Sequence, residues 1–518
     1  MRFRVVDSLI SVEKEMVYLV NDKWDDWFTY ETLFGVFYYD EEGNKFTIGS
    51  VKIGQKNQIG RRPQLPSAFE DLSEDYFSLG TNEDYYENLK NAGLRDEYFK
   101  ALKDMAFDLE IFLKVREYDV TKVSLMRDIT SSTVQGQFHR IAHGGAKLTD
   151  YNFTYFLPQI DSENNEQLQF SFEVEIERTP PTNIHVLIGK NGVGKTTILK
   201  KLLYSIEIED KEQKYGKVEG DAGHFANIVY VSFSAFDKPT DFTSYGKELP
   251  VPYTFVGLIG REGLKTRDDL TEDFLNSLYE VIKGTKSKLW IDTIDILESD
   301  STFMDLQIKG WTLLKESDFK DSNIKFPQEI NESRQLYNRR REKEVYRKKI
   351  YSQFNNLSSG HKVILLTIVK LIELVEEKTL VLLDEPEEHL HPPLVSAFIR
   401  ALSNLLIYRN GVGIIATHSP VIVQEIPKKC VWILRRSGKI LINERPEIET
   451  FGENLGELTS EIFGYEVTNS GFHKMLRETS RQKCSYEDAL AVFNNELGNE
   501  AKAILRSYMY EKEYRKDD

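Results

Sequence analysis

The sequence predicts an α/β protein: a mixed sheet flanked by helices, with a strand-rich region before it, a helical lobe inserted in it and a helical tail after it. Three observations lead there. Four short runs, "IHVLIG" (184–189), "ANIVYVSFS" (226–234), "TLVLLDE" (379–385) and "VGIIATHS" (412–419), are almost free of charge, as strands covered on both faces are. Helical stretches alternate with these runs, which is the layer pattern of a largely parallel sheet. Three of the runs also end in residues with chemistry: glycines, paired acids and a histidine.

At 518 residues the chain exceeds what one core can organise, so two to four domains are expected. Residues 1–140 open with "VYLV", "LFGVFYY" and "FTIGSVKIG", apolar and polar in alternation around the turn "DEEGN", which reads as a small antiparallel sheet. From "FEDLSEDYF" onward, residues 68–115 read as acidic helices with a solvated face. Residues 141–245 hold a Gly-Gly joint, two more strands and the first part of the main sheet. Residues 246–354 turn charged and helix-rich without core strands, an inserted lobe. Residues 355–445 return to the sheet, and 446–518, with "LGELTSEIF" and "YEDALAVFNNEL", read as a helical tail.

Composition narrows the classes. A hydrophobic share of 40% with 29% charged residues is that of a soluble globular protein. The net charge of −16 argues against a nucleic-acid coat over the whole surface, while leaving room for a local basic patch. Two cysteines, Cys430 and Cys484, make no disulfide framework and suit a reducing compartment. The charged N-terminus is no signal peptide, and no run of 18 apolar residues exists to span a membrane, so a cytoplasmic protein is expected.

The strand ends carry the function. "GKNGVGKTT" spans Gly189, Lys190, Asn191, Gly192, Val193, Gly194, Lys195, Thr196 and Thr197, and fits G-x-x-x-x-G-K-[ST] between a buried strand and a helix. Its glycines let backbone N–H groups face phosphate oxygens while the helix N-terminus adds its dipole. Lys195 would reach the β- and γ-phosphates, and the Thr196 hydroxyl would ligate Mg²⁺. "TLVLLDEPEEHLHP" delivers Asp384 to the ligand-binding edge of the sheet as a second Mg²⁺ ligand. Glu385 follows it, placed to polarise the water that attacks the γ-phosphate. "IIATHSP" ends in His418, whose imidazole would hydrogen-bond the γ-phosphate or that water. ATP and Mg²⁺ are therefore the expected ligands.

In this order the motifs resemble an ABC-type ATPase head of the SMC-like group. Gly189–Thr196 match its Walker A motif, "LSSGH" (357–361) its signature loop, "VLLDEP" Walker B with the catalytic acid, "EEHLHP" the D-loop region and "ATHSP" the switch histidine. Ser359 and His361 stand where the family usually has glycine and glutamine. The glutamine that follows the second core strand in the family is missing from "VSFSAFDKP", where Ser234 or Asp237 could substitute. The resemblance implies that Ser358 and Gly360 cap the γ-phosphate bound by a second subunit, so that a homodimer or higher assembly shares two composite sites.

The lobe contains "RQLYNRRREKEVYRKKI", with Arg334, Arg339, Arg340, Arg341, Lys343, Arg347, Lys348 and Lys349. This cluster would bind nucleic-acid phosphates, or equally form a solvated face or meet an acidic partner. Without a long heptad arm, a coiled-coil repair ATPase is disfavoured. The chain most resembles the stand-alone ATPases of phage-defence operons, the overcoming-lysogenization-defect group and the Septu-type ATPase. The first group carries a C-terminal Toprim nuclease, and the 75 or so residues after "WILRRSGKILINERP" show no strand ending in paired acids. The resemblance therefore implies a separate effector such as an HNH nuclease. The other reading is a DNA-clamping repair ATPase of RecF type.

Overall fold

A computed structural model describes the chain except residues 23–28, 128, 146–147, 159–166, 177, 209–213, 222–224, 235–249, 261–262, 284–285, 313–333, 389, 438–439, 465–470, 484 and 515–518. Its first sheet is larger than the sequence suggested. β1 (Phe3–Val6), β2 (Met16–Asn21), β3 (Leu33–Tyr39), β4 (Lys45–Gln55), β5 (Ala68–Phe69) and β6 (Tyr76–Gly80) form six strands in the order β5-β1-β2-β3-β4-β6. β1 and β2 are parallel and the other neighbours antiparallel, so the sheet is mixed. β6, "YFSLG", is a buried strand hidden in acidic sequence.

α1 (Glu83–Asn91), α2 (Arg95–Ala101) and α3 (Leu109–Val115) follow. They are not the solvated face that their acids suggested. Tyr85, Tyr86, Tyr98, Phe99 and Phe112 are fully buried and share one core with Val36, Ile53 and Leu79. Acids and aromatics interleave along this stretch, and burying each large ring contributes roughly 1.5–3 kcal/mol.

β7 (Tyr151–Phe156), β8 (Gln169–Val174), β9 (Ile184–Gly189) and β10 (Lys217–Gly220) come next, with α4 (Lys195–Glu207) between the last two. β10, β7 and β8 make a three-stranded antiparallel sheet. β9 enters the seven-stranded sheet with β11 (Ile228–Ser232), β12 (Tyr253–Gly257), β15 (Leu380–Asp384), β16 (Val412–Thr417), β17 (Val431–Ser437) and β18 (Ile440–Glu444), in the order β12-β11-β15-β16-β9-β17-β18. β13 (Ile259–Gly260) and β14 (Gly263–Leu264) form a separate small hairpin. All neighbours in the large sheet are parallel except β18, antiparallel to β17 at the edge. β12 falls inside the lobe expected at 246–354 but pairs with β11. As an edge strand it is only partly buried, so "YTFVG" lacks the apolar continuity of the inner strands.

The inner strands are apolar throughout because both faces are covered. Leu187, Leu382 and Ile414 pack with Leu199 and Leu202 of α4 and with Phe153 and Phe172 of the three-stranded sheet. Val186, Ile188, Leu383 and Ile415 pack on the other side with α5 (Arg267–Lys283), α6 (Ser287–Leu297), α9 (Ser359–Leu374) and α10 (Pro392–Tyr408). The lobe also contains α7 (Ser301–Met304) and α8 (Arg334–Asn355). In the tail, α11 (Leu455–Phe463) packs on the main core, whereas α12 (Gly471–Gln482), α13 (Tyr486–Val492) and α14 (Asn499–Tyr514) share a small core around Leu476, Ala489 and Leu505. No helix among the described residues is long and apolar enough to cross a membrane.

Two consequences of the register matter for the site. Ser232, Asp384 and Ala416 lie abreast, and Thr417 is level with Ile188, so the C-terminal ends of β11, β15, β16 and β9 form one edge. The N-terminal domain attaches at the opposite edge. Arg409 reaches the fully buried Glu83 at 3.1 Å, and Arg140 reaches Glu377 at 2.5 Å.

Candidate nucleotide site

β9 ends at Gly189 and α4 begins at Lys195, and the loop between them is shaped by its glycines. A Cβ on Gly189 would come within 2.5 Å of the Leu434 carbonyl oxygen, so no side chain fits there. Gly194 has φ of +111°, a left-handed conformation that glycine adopts without penalty, and it caps α4. Because that cap offers no side-chain acceptor, the first N–H groups of α4 are left for a ligand. Asn191 and Gly192 are exposed at the loop's tip, while Val193 is buried beneath it. Lys190 and Thr196 are half-buried and Thr197 is exposed.

Lys195 is buried and folded back on its own loop. Its Nζ donates to the carbonyls of Gly189 at 2.9 Å and Lys190 at 3.2 Å, and lies 3.6 Å from Glu385 Oε1. Asp384, the last residue of β15, is nearly buried and accepts a hydrogen bond from the Tyr230 hydroxyl at 3.2 Å. Glu385 then leaves the strand with φ of +48°, while its N–H donates to the Ala416 carbonyl. That left-handed turn costs a non-glycine residue roughly 1 kcal/mol or more, and it lets Glu385 meet two partners. Besides Lys195, these include His418, whose Nδ1 lies 3.5 Å from Glu385 Oε1.

The same imidazole nitrogen lies 3.5 Å from Oε1 of Glu387, an acid the sequence reading did not single out. Glu387 is half-buried with its side chain largely enclosed, accepts a hydrogen bond from the Thr417 hydroxyl, and accepts another from the His418 backbone N–H at 3.1 Å. Burial pushes its carboxyl above the usual range, with the hydrogen bonds from Thr417 and His418 working against that. It ties the end of β16 to the segment after β15. In the sequence it is one of four acids in "DEPEE", and nothing in the spacing sets it apart.

Asp384 and Thr196 offer hard oxygen donors, the kind that suit Mg²⁺. Among the described residues no group of three or more His, Cys, Asp or Glu could hold a metal.

Residues 278–424 match the family model described as "AAA domain, putative AbiEii toxin, Type IV TA system". Protein ea59 of Escherichia phage lambda is 36% identical over 519 residues, an alignment spanning 96% of this chain and 95% of that one. The chain belongs to the ea59 family. The mixed α/β fold and the match at residues 278–424 show a chain with an AAA-type P-loop ATPase domain. Among solved structures, one described as "a putative metal-chelate type ABC transporter" is similar at 16% identity with a TM-score of 0.28, over 60% of this chain and 88% of that one. A nucleotide-free ATP-binding cassette from an ABC transporter is similar at 13% identity with a TM-score of 0.22, over 52% and 81% of the two chains.

In this ea59-family chain Ser358 is the N-cap of α9, its Oγ accepting the His361 backbone N–H at 3.3 Å, and Gly360 is buried in the first turn. Ser358 itself is exposed. Among the described residues no hydrogen bond or ion pair joins Ser358 or Gly360 to Lys195, Glu385 or His418. Of the residues considered for the missing glutamine, Ser234 donates its N–H to Ser232 Oγ at 3.4 Å. Asp237 lies outside the described residues, as do Cys484 and the side chains of Arg334 and Arg339. In the basic cluster, Lys343 lies 3.4 Å from Glu280 and Arg347 bonds Glu272, both acids of α5.

Proposed function

We propose that this chain binds ATP with Mg²⁺ and hydrolyses it to ADP and phosphate, through sites shared between the subunits of a homodimer or higher assembly. The observation that carries the reading is the convergence of Lys195, Glu385 and His418 within 3.6 Å at the strand edge that also bears Asp384. Glu385 and two loop carbonyls are partners of the Lys195 ammonium. Phosphates entering the loop would replace them as its partners, and Glu385 would be released towards the attacking water. His418, whose Nδ1 lies 3.5 Å from both Glu385 and Glu387, would orient that water or the γ-phosphate. Thr196 and Asp384 would hold Mg²⁺, which when bound neutralises charge on the phosphates. Ser358 and Gly360 of a second subunit would close the site from the other side.

For the downstream role we favour control of a separate effector, such as an HNH nuclease, in phage defence, over DNA clamping of RecF type. Two cations of the basic cluster are already engaged by acids of α5, which weakens the case for a phosphate-binding stripe. A relative carried by phage lambda supports a setting in conflict between phage and host. The test of the chemistry is phosphate release from Mg-ATP by the purified chain. Glu385→Gln should still bind ATP but turn over roughly 10² to 10⁴ times more slowly. Full turnover in that variant would remove Glu385 from its role.

A further inference from the structure

The residue after Gly360 is a histidine, and its ring is engaged on both sides. His361 Nδ1 lies 2.9 Å from Ser358 Oγ, and Nε2 lies 3.3 Å from Thr302 Oγ1. Thr302 Oγ1 in turn lies 2.5 Å from Asp300 Oδ1. Asp300 is the N-cap of α7, and it also accepts the backbone N–H groups of Thr302 at 2.9 Å and Phe303 at 3.2 Å. The chain of contacts thus runs from the signature loop into the inserted lobe.

One direction of donation satisfies the whole chain. An ionised carboxylate only accepts, so the Thr302 hydroxyl donates to Asp300. The Thr302 oxygen is then left to accept, and His361 Nε2 must carry the ring proton. Nδ1 of the neutral ring is therefore bare and accepts the proton of the Ser358 hydroxyl. The Ser358 oxygen already accepts the His361 backbone N–H, which is consistent with that arrangement.

We propose that His361 sets the direction in which the Ser358 hydroxyl points. With His361 neutral, the serine's proton is held against the ring and faces away from any incoming phosphate. With His361 protonated, Nδ1–H donates to the serine oxygen, the hydroxyl proton turns outward, and a phosphate oxygen can accept it. A glutamine at this position would not titrate, so this control belongs to the histidine. Burial pushes the imidazole below the ordinary histidine value, opposed by Asp300 and assisted by His391. The neutral, proton-holding state therefore prevails at neutral pH. The groups around the ring are Asp300 from α7, His391, whose Nε2 is 4.0 Å from Asp300 Oδ2, and the Phe303 ring, edge-on at 5.6 Å between centroids. Burial pushes the Asp300 carboxyl up, but hydrogen bonds from Thr302 and Phe303 and the nearby His391 outweigh it and hold it below the usual range.

The proposal rests on the reading that Ser358 meets a partner's phosphate, and the experiment separates the two. Turnover at saturating Mg-ATP is measured from about pH 8 to about pH 5.5 for the full wild-type chain, His361→Gln and Ser358→Ala. Glutamine supplies a donor and an acceptor but no titration, and dividing its rate by the wild-type rate cancels other titrating groups. That ratio should fall about three- to ten-fold on going to the lower pH, the worth of one redirected hydrogen bond. A ratio that stays constant with pH overturns the proposal, whatever the absolute rates. If Ser358→Ala turns over like wild type, the shared-site reading fails at the serine and takes the proposal with it. If Ser358→Ala is slow and the ratio is flat, only the role of His361 falls. Should His361→Gln not fold, Thr302→Val removes the acceptor of the Nε2 proton and should raise turnover at about pH 8, and an unchanged rate there overturns the proposal.

Discussion

Replacing Glu387 with alanine is the perturbation that the site geometry makes most informative. Its Oε1 accepts from two donors, the Thr417 hydroxyl and the His418 backbone N–H. Thr417 is fully buried, so the alanine leaves its hydroxyl without that acceptor and out of reach of water. A hydrogen bond to a charged group is worth about 1.5–3 kcal/mol, and one of the two donors can recover water. The expected loss of stability is therefore about 2–4 kcal/mol, read as a shift in the urea midpoint at unchanged slope. His418 loses both its backbone anchor and one of the two carboxylates beside its ring, so turnover should drop by roughly 10²-fold. ATP affinity should change by no more than about two-fold, since among the described residues no hydrogen bond or ion pair joins Glu387 to Lys195. Glu387→Gln keeps an acceptor without the charge and should fall between alanine and wild type on both readouts. Wild-type turnover in Glu387→Ala would refute the reasoning, and so would a loss of ATP affinity as large as its loss of turnover.

Lys195→Ala should abolish ATP binding with little loss of fold, and unchanged affinity in a binding titration would remove the phosphate-loop assignment. Ser358→Arg should bind ATP but not hydrolyse it. Mixed with Lys195→Ala under subunit exchange, it should regain part of the wild-type rate, because one site then has both intact halves; full activity of Ser358→Arg alone would exclude a shared site. Arg409→Ala strands the fully buried Glu83 carboxylate and should cost about 3–5 kcal/mol, with part recovered by adding Glu83→Gln; denaturant melts of the single and double variants decide it. Burial pushes Asp104 up to about 7, with hydrogen bonds from Phe107, Ala106 and Tyr86 working against it. The folded state then holds a proton that the unfolded chain has released, so stability should fall as pH rises from about 4 to about 7. Asp104→Asn should flatten that dependence between about pH 4 and about pH 7 in urea unfolding, and a parallel decline in both proteins would count against it.

How much could be read in advance depended on whether a residue's neighbours are close in sequence. The strands at 184–189, 379–385 and 412–419 announce themselves because both faces are apolar, and the loop at Gly189–Thr197 because a phosphate cradle needs its glycines and lysine at fixed spacing. Tyr85, Tyr86 and Tyr98 went unnoticed as core because acids separate them, and alternation at helical spacing looks like a wet surface until the sheet beneath is known. β12 escaped because an edge strand has one side to fill. Glu387 meets Thr417 and His418 from 30 and 31 residues away, and His361 meets Thr302 from 59 residues away, so no local pattern records either contact.

The position of the N-terminal domain has a mechanical meaning. Its attachments, Glu377 and Arg409 among them, sit where β15 and β16 begin, while Asp384 and Thr417 sit where the same strands end. At about 3.3 Å per residue, roughly 20 Å of hydrogen-bonded strand separates the joint from the carboxylates. Strands packed on both faces are stiff along their length, so they act as struts. Any rotation of the chemical edge would then reach the joint along those strands and tilt the six-stranded domain. A lever of this kind would need no relay of side chains between its ends.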